Sequence, residues 1–267
     1  MTSLNKINIG RFVRYLLRLP LLALHVFVVL PFLLIILISP LARHSRTNVG
    51  FADWAVRKWS AGLMRIFGFK MRRFGTPLSG PALFVANHIS WIDIVALHSQ
   101  RWMGFVAKAE IERWPIVGWC ASRGGTIYHH RGNNDSLSDV MNVMLERLNY
   151  GRAIGVFPEG RTSRGDKLGV FHARIFQPAV IAQVPAQPVA LKFGTGGNAQ
   201  TIIAFAENEN FMQNFIRLLG EPSRICEVHF LEPITASEDG RRKMADYCHR
   251  KIAHVLSANG NNASDQR

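Results

Sequence analysis

A histidine and an aspartate lie close together in the apolar segment "FVANHISWIDIVAL", residues 84–97. Burying an imidazole and a carboxylate without partners is costly, so we expect His88 and Asp93 to be paired. A single helix over both would place them about 140° apart around its axis. The sequence instead predicts that a strand ends before His88 and that Ser90 caps a helix, with Asp93 as its capping-box partner. The imidazole can then bend back onto Asp93. The alternative is that Asp93 only caps the helix.

Cationic side chains follow another predicted strand. The segment "VFPEGRTSRG", residues 156–165, places Glu159, Arg161 and Arg164 in a turn that contains glycine. Guanidinium groups bind phosphates and carboxylates through paired hydrogen bonds. The turn therefore predicts a site for an anionic group, with an ordinary surface turn as the alternative.

The elements that must position these side chains alternate along the chain. Predicted strands cover residues 82–86, 102–108, 124–130, 153–157, 187–193 and 224–234. Predicted helices begin at Ser90 and cover residues 135–151, 170–183, 210–220 and 239–256. This alternation predicts an α/β domain with a mixed, largely parallel sheet flanked by helices. Ligands bind at the carboxyl ends of the strands in such sheets, which is where His88 and Glu159 fall.

The N-terminal part of the chain is apolar. Residues 19–38 form a stretch of twenty positions without formal charge. As a helix this stretch is about 30 Å long, the thickness of a bilayer core. It predicts an uncleaved membrane element that spans or lies in the bilayer, with a buried core helix as the alternative. Basic residues flank it on both sides, so they fix no orientation. Residues 51–69 predict a basic amphipathic helix, either in the headgroup layer or packed on the domain.

The composition narrows the class of protein. The formal net charge of +14 predicts an anionic partner, which is nucleic acid, an anionic membrane, or an acidic substrate or carrier. Cys120, Cys226 and Cys248 form no C-x-x-C pair, so the sequence suggests neither a disulfide framework nor a zinc site. Neighbouring histidines at 129 and 130 would point to opposite faces of a strand, so we expect no metal there. A reducing, cytoplasmic setting fits these features best.

Four blocks of residues occur in a set order along the chain. They are N-H-x4-D (Asn87, His88, Asp93), K-x-E-x4-P-x2-G with a distal arginine (Lys108, Glu110, Pro115, Gly118, Arg131), F-P-E-G (157–160) and V-P-x-x-P-V-A (184–190). Together they resemble the motifs of the lysophospholipid acyltransferase family, whose type member is 1-acyl-sn-glycerol-3-phosphate acyltransferase. The resemblance covers residues 50–235.

This resemblance implies the family's α/β fold and the transfer of a fatty acyl group from acyl-CoA or acyl carrier protein to the free hydroxyl of a lysolipid. His88 would be the general base and Asp93 the residue that orients it, so neither an enzyme nucleophile nor a cofactor is required. The residues at the family's substrate-binding and further anion-binding positions are Glu159, Gly160, Arg161, Lys108 and Arg131.

The sequence departs from the family pattern in one block. The usual order is E-G-T-R-S, whereas this chain has E-G-R-T-S from Glu159 to Ser163, which moves the guanidinium by one position. Arg164 is the candidate substitute. The first expectation for the acceptor is 1-acyl-sn-glycerol-3-phosphate, and a lysolipid with a different head, such as a lyso-ornithine lipid, is the alternative.

These inferences define an expected organisation. Residues 1–70 would form membrane-associated helices, residues 71–256 the acyltransferase domain and residues 257–267 a disordered tail. The expected partners are membrane lipid, a lysophospholipid and acyl-CoA or acyl carrier protein, without nucleic acid or metal. The active site would face the cytoplasm. Two rival functions stay open at this point, a lipid hydrolase whose His/Asp pair activates water and a basic, non-catalytic membrane adaptor or nucleic-acid binder.

Overall fold

Seven strands form one sheet in the computed structural model, which describes residues 9–38, 50–114, 117–129, 134–235 and 240–258. The strands are β1 (Phe69–Phe74), β2 (Leu83–Ala86), β3 (Gly104–Lys108), β4 (Ile127–His129), β5 (Ile154–Val156), β6 (Ala186–Phe193) and β7 (Arg224–Phe230). The helices are α1 (Ile9–Leu24), α2 (Leu30–Ile38), α3 (Phe51–Ile66), α4 (Ile92–His98), α5 (Val117–Arg123), α6 (Asn134–Asn149), α7 (Gln177–Ile181), α8 (Gln200–Ile203), α9 (Phe211–Leu219) and α10 (Gly240–Ser257).

The strand order of the sheet is β1-β7-β6-β2-β5-β3-β4. Strands β6, β2, β5, β3 and β4 run parallel to one another, β7 is antiparallel to β6, and β1 is parallel to β7. The structure thus confirms a mixed, largely parallel sheet flanked by helices. Parallel pairing brings the carboxyl ends of β2, β5 and β3 to one edge of the sheet.

Side chains along the central strands alternate between two apolar layers. In β2, Phe84 and Ala86 pack in the layer that contains α3, α4, α8 and α9, whereas Leu83 and Val85 pack in the layer that contains α6, α7 and α10. Strands covered on both faces need such nearly continuous apolar sequences. The two helical layers hold the sheet and therefore its carboxyl edge in place.

The apolar N-terminal helix begins ten residues before the uncharged stretch that the sequence marks at residue 19. A π turn over His25–Val29 joins α1 to α2. The combined helix, Ile9–Leu37, is long and apolar enough to cross a membrane by length and composition. Its outward side chains, such as Leu16, Phe27 and Phe32, are exposed.

One face of α1 is polar and contacts the rest of the protein. Arg14, Tyr15 and Arg18 donate hydrogen bonds of 2.7 to 3.0 Å to backbone carbonyl oxygens around the end of α9. The accepting oxygens belong to Ile216, Leu219, Gly220 and Glu221. Carbonyl groups at the end of a helix lack partners within it, and cations are favourable there. These bonds fix α1 to α9.

Helix α3 packs on the protein through its apolar face. Leu63 and Met64 lie in the same apolar layer as α4, and Val56 packs against α2. Phe51 and Trp54 at the other end are exposed and stack with ring centroids 5.5 Å apart. The packed position is thus one of the two that the sequence allows for this helix.

Several elements differ from the sequence prediction, among them the short helices α5 and α8, which it does not include. The sequence does not predict β1, because Lys70, Arg72 and Arg73 break its apolar pattern, and such cations are typical of an edge strand. The helix predicted over residues 170–183 is wrong in its extent. The chain there forms a 3-10 turn over Ala173–Phe176 and then the short α7, whose early proline lacks the N–H that a continuous helix requires.

Candidate active site

His88 and Asp93 meet at the carboxyl edge of the sheet. His88 lies two residues after the end of β2, and Asp93 lies in the first turn of α4. Nδ1 of His88 donates a hydrogen bond to Oδ2 of Asp93 at 2.8 Å, so the structure pairs the two side chains as the sequence predicts. This bond fixes the tautomer of a neutral imidazole and leaves Nε2 as the atom that can accept a proton.

The carboxylate of Asp93 also holds the loop that carries His88. Its Oδ2 accepts backbone N–H bonds from Ile89 at 2.7 Å and from Ser90 at 2.9 Å. The predicted side-chain cap by Ser90 is wrong, because the Ser90 hydroxyl donates to Oδ1 of Asn214 at 3.2 Å. Oδ1 of Asp93 is buried and meets no hydrogen-bond donor among the described residues. The carboxylate therefore concentrates its bonds on the oxygen that faces the imidazole.

Asn87 attaches the same loop to the sheet. Its buried side chain donates from Nδ2 to the carbonyl of Leu191 at 3.1 Å and accepts the N–H of Leu191 at Oδ1 at 2.8 Å. An amide that pairs with both groups of one backbone unit extends the β2–β6 ladder past the end of β2. His88 is therefore held by β6 on one side and by α4 on the other.

An aromatic ring covers the face of His88. Phe157 directly follows β5 and stacks on the imidazole, with ring centroids 3.9 Å apart and an angle of 14° between the planes. The sequence names Phe157 only as part of the F-P-E-G block and gives it no role. The adjacent parallel pairing of β2 and β5 explains the contact, because residues after neighbouring strand ends lie side by side.

Glu159 joins the loop after β5 to the loop after β2. Its Oε1 accepts the backbone N–H of His88 at 2.8 Å, and its Oε2 accepts the backbone N–H of Gly169 at 2.8 Å. Burial raises the pKa of Glu159, while these two N–H bonds oppose that shift. Both carboxylate oxygens are thus engaged by backbone, which indicates a structural task around His88. The predicted contact of Glu159 with substrate stays a prediction.

An open cavity of about 800 Å³ lies at the loop after β5. It is lined by residues 159–164, 166–170 and 172. Arg161, Arg164 and Lys167 give the lining three cationic side chains, against the two carboxylates of Glu159 and Asp166. Gly160 has a φ of +71°, a left-handed conformation that glycine adopts without strain, and it turns the chain at the entrance of this loop. The volume of the cavity is in the range of small-molecule sites, and its three cationic side chains suit an anionic group.

Of the remaining predicted anion-binding residues, the structure describes Lys108 and Arg164. Lys108 is the exposed last residue of β3 and does not line the cavity. Arg131 lies outside the described residues. Arg164 contacts Glu207 at 3.9 Å in an exposed ion pair, which contributes little and leaves the guanidinium available to a ligand.

A buried asparagine on α9 supports the loop that carries His88, residues 87–91, from the far side. Oδ1 of Asn214 accepts hydrogen bonds from the Trp91 indole N–H at 3.0 Å and the Ser90 hydroxyl at 3.2 Å. Its Nδ2 donates to Oε2 of Glu209 at 2.8 Å. Hydrogen bonds from Arg217 lower the pKa of Glu209 to about 2, so this carboxylate is ionised near neutral pH. Sequence reasoning misses Asn214 because it is 124 residues away from Ser90, and its one signal is an asparagine inside an amphipathic helix.

These parts can activate a hydroxyl group. A neutral imidazole oriented by a carboxylate can remove a proton from a hydroxyl held at Nε2, and the carboxylate stabilises the imidazolium that forms. The basic cavity on the adjoining loop can hold an anionic group of the same molecule. The site therefore suits base catalysis on a hydroxyl compound that also carries a negative charge.

The fold is that of a known class of lipid enzyme. A solved structure, the 1-acyl-sn-glycerophosphate (LPA) acyltransferase from Thermotoga maritima, superposes with a TM-score of 0.65 over 92% of this chain and 97% of that chain. At 19% sequence identity, this similarity concerns the fold.

Sequence comparisons identify the family. The family model described as Acyltransferase matches residues 70–192. A lyso-ornithine lipid O-acyltransferase from Pseudomonas aeruginosa is 34% identical over 200 residues, which cover 75% of this chain and 77% of that protein. A 1-acyl-sn-glycerol-3-phosphate acyltransferase from Neisseria gonorrhoeae is 36% identical over 111 residues, which cover 42% of this chain and 44% of that protein. The chain belongs to the acyltransferase family, and the resemblance seen in its four motifs is confirmed.

Proposed function

We propose that this enzyme transfers a fatty acyl group from a thioester donor to the free hydroxyl of a lysolipid whose head group carries a carboxylate or a phosphate. The observation that carries the proposal is the 2.8 Å bond between His88 and Asp93 beside a basic cavity. The donor is acyl-CoA or acyl carrier protein, whose negative charge suits a chain with a net charge of +14. No cofactor or metal takes part in the proposed reaction.

In the proposed reaction, Nε2 of His88 accepts the proton of the lysolipid hydroxyl as its oxygen attacks the thioester carbonyl carbon. The C–O bond forms and the C–S bond breaks, and the leaving thiolate takes the proton from the imidazolium. Asp93 keeps the imidazole in the required tautomer throughout and stabilises its charged form. The base returns to its neutral state at the end of each turnover. Because the acceptor oxygen attacks the donor carbonyl carbon directly, the proposed reaction has no acyl-enzyme.

The proposed acceptor is a lyso-ornithine lipid. The lyso-ornithine lipid acyltransferase of Pseudomonas aeruginosa aligns with three quarters of this chain. The order Arg161–Thr162 also departs from the family pattern E-G-T-R-S at the position expected to hold a glycerol phosphate. The carboxylate of an ornithine head would be held by Arg161, Arg164 or Lys167 of the cavity.

The second candidate acceptor is 1-acyl-sn-glycerol-3-phosphate. It is favoured by the 36% identity to the Neisseria gonorrhoeae enzyme over 111 residues. Its phosphate would use the same guanidinium groups, because phosphate and carboxylate share the bidentate geometry.

We further propose that residues 9–38 attach the enzyme to a membrane with its active site on the cytoplasmic face. The exposed apolar side chains of α1 and α2 support the attachment, and the cytoplasmic supply of the proposed donors supports the side. The acceptor hydroxyl would then lie near the membrane surface, where a lysolipid with one acyl chain resides.

The test is thiol release from each donor by the detergent-purified enzyme, offered each of the two acceptors. We expect turnover with lyso-ornithine lipid and a loss of at least about 100-fold in His88→Ala, the scale of general-base catalysis. The matched control is His254→Ala, because His254 is exposed on α10 and should leave turnover unchanged. Turnover that is indifferent to His88→Ala would contradict the proposed base, and turnover only with 1-acyl-sn-glycerol-3-phosphate would replace the acceptor.

A further inference from the structure

Two phenylalanine rings stand in a stack with the imidazole of His88. The ring of Phe157 lies on His88 at 3.9 Å between centroids, with 14° between the planes. The ring of Phe105 lies on Phe157 at 5.6 Å, with 12° between the planes. His98 then meets the edge of Phe105 at 5.0 Å. The imidazole is thus one end of a layered aromatic group and not an isolated side chain in a turn.

The strand next to this stack provides the room for it. A Cβ atom on Gly155 of β5 would collide with the ring of Phe105 and with the sulfur of Met103. Phe105 is buried, and its position is set by β3, which pairs with β5. Phe157 therefore stacks on a ring whose own position is set by the sheet.

Phe157 and Asp93 act on the imidazole from different directions. Asp93 binds the edge of the ring at Nδ1, whereas Phe157 covers one face. The second carboxylate that acts on the imidazole is that of Glu159, which binds the backbone N–H of His88. The two carboxylates supply charge, and the phenyl ring supplies a face of negative π electrostatic potential.

This face distinguishes the two protonation states of His88. A cation within about 6 Å of an aromatic centroid is attracted to the ring face, while a neutral ring gains much less. The imidazole is neutral before proton transfer and positively charged once the acceptor hydroxyl has lost its proton. An interaction that is stronger in the charged state lowers the barrier and not only the energy of the bound substrate.

We propose that Phe157 is a positioning residue that stabilises the imidazolium form of His88 through its π face during acyl transfer. The proposal rests on the proposed role of His88 as the general base. An aliphatic side chain of similar volume could fill the same space, but it would not favour the charged ring.

The test replaces Phe157 by phenylalanines with increasing fluorine content, from 4-fluoro to 3,5-difluoro to pentafluoro, in the full chain. Fluorine withdraws density from the π face while the ring keeps its shape. We expect kcat to fall stepwise, by about 2- to 30-fold in total, which is the range expected for a cation on an aromatic face. The acid limb of the kcat/KM against pH profile should move to lower pH in the same order, because a less stabilised imidazolium loses its proton earlier.

The matched control is the same series at Phe176, which is buried in the opposite apolar layer and makes no ring contact with His88 in the part of the chain that the structure describes. That series should leave the pH midpoint of the acid limb unchanged, although it alters the core in the same way. A second measurement follows the His88 imidazole directly by NMR titration of histidine-labelled protein, with its signal identified by its loss in His88→Ala. The signal should titrate at progressively lower pH as fluorine is added at Phe157.

The outcomes separate this inference from the proposed function. If His88→Ala keeps its turnover, the general-base role fails. If His88→Ala is inactive but the fluorinated series at Phe157 changes neither the rate nor the titration, the π-face inference alone is overturned. If the Phe157 series matched the Phe176 series in every measurement, Phe157 would contribute only packing and the π-face inference would be overturned. If the pentafluoro variant does not fold, the two less substituted variants still decide, because each has a predicted direction.

Discussion

Two carboxylates lie beside His88, and their surroundings give them different tasks. Asp93 directs one oxygen at the imidazole and at two backbone N–H groups of its own loop. Both carboxylate oxygens of Glu159 accept hydrogen bonds from backbone N–H groups, one in each of two separate loops. The first can respond to the charge of the imidazole, whereas the second holds the loops that carry His88 and the basic cavity. Pairs of acids with contrasting environments commonly divide their roles in this way.

The task of Glu159 can be tested by Glu159→Gln. A glutamine side chain has one carbonyl oxygen, so its NH2 group must face the N–H of either His88 or Gly169. One buried backbone donor loses its partner, at a cost of about 1–3 kcal/mol in the free energy of unfolding. We expect kcat to fall by roughly 10- to 100-fold, because a small displacement of His88 spoils its alignment. Thermal unfolding and steady-state kinetics measure the two effects.

Glu232→Gln is the matched control for this change. Glu232 is exposed, so the same substitution should shift stability by less than about 0.5 kcal/mol. If Glu159→Gln behaved like this control in both measurements, the loops would not depend on the carboxylate.

Among the helices, α9 connects the N-terminal helix to the loop that carries His88. Its C-terminal carbonyl groups bind the arginines and tyrosine of α1, and its buried Asn214 binds Ser90 and Trp91 ahead of α4. Glu209, two residues before α9, forms an ion pair of 2.6 Å with Arg217 in the last turn of the helix. Helix α9 is therefore a rigid spacer between two functional parts of the enzyme.

Asn214→Leu tests this spacer. The change leaves the Trp91 indole N–H and the Ser90 hydroxyl without an acceptor, at about 1–3 kcal/mol for each group that stays buried. We expect a lower melting temperature together with a lower kcat, since both donors lie between His88 and Asp93 along the chain. Calorimetry and the thiol-release assay provide the measurements.

Asn210→Ala serves as the comparison on the same helix. Asn210 caps α9 through a capping box with Gln213, so its loss should cost about 1 kcal/mol of stability and leave kcat near its original value. A parallel loss of kcat in both variants would show that α9 matters only through overall stability.

Elements with strong periodicity could be predicted from the sequence, and contacts between distant parts could not. The central strands and α6 follow from local apolar patterns, and the N-H-x4-D spacing predicts the pairing of His88 with Asp93. Strand β1 is not predicted, because it lies at the edge of the sheet and its cationic side chains interrupt the alternation of apolar residues that marks a strand. The contacts of Phe157 and Asn214 could not be predicted, because they depend on the strand order of the sheet and on helix packing. Neither can be read from the residues next to them in the sequence.

Exposed apolar side chains of the described residues concentrate on the N-terminal helices. Leu16, Phe27 and Phe32 lie on the combined helix, and Phe51 and Trp54 lie at the start of α3. A contiguous apolar surface of this kind marks a contact with a membrane or a protein, and the length and hydropathy of the helix favour the membrane. The division of the chain near residue 70 into membrane helices and a catalytic domain stays a prediction.

Phe32→Glu tests the membrane contact. Phe32 is 64% exposed on α2, and an acidic residue in an apolar helix costs up to about 2.5–3.5 kcal/mol in a bilayer. We expect roughly 100-fold weaker binding to vesicles of phosphatidylethanolamine and phosphatidylglycerol, measured by sedimentation, with turnover on a detergent-dispersed acceptor retained.

Ile181→Glu is the control for the membrane test. Ile181 is 56% exposed on α7 in the opposite layer, so an acidic residue there should leave vesicle binding unchanged. Equal losses in the two variants would mean that the effect comes from net charge and not from the surface on α2.

The polar face of α1 has a consequence for how the enzyme can be engineered. Arg14 and Arg18 complete the end of α9, and Leu22 of the same helix lies in the main apolar layer. A generic transmembrane segment grafted in its place would retain affinity for lipid but would leave those carbonyl groups without their donors. The N-terminal helix is therefore part of the packed protein as well as a membrane contact. We expect its removal to destabilise the enzyme, so truncation is a poor route to a water-soluble form.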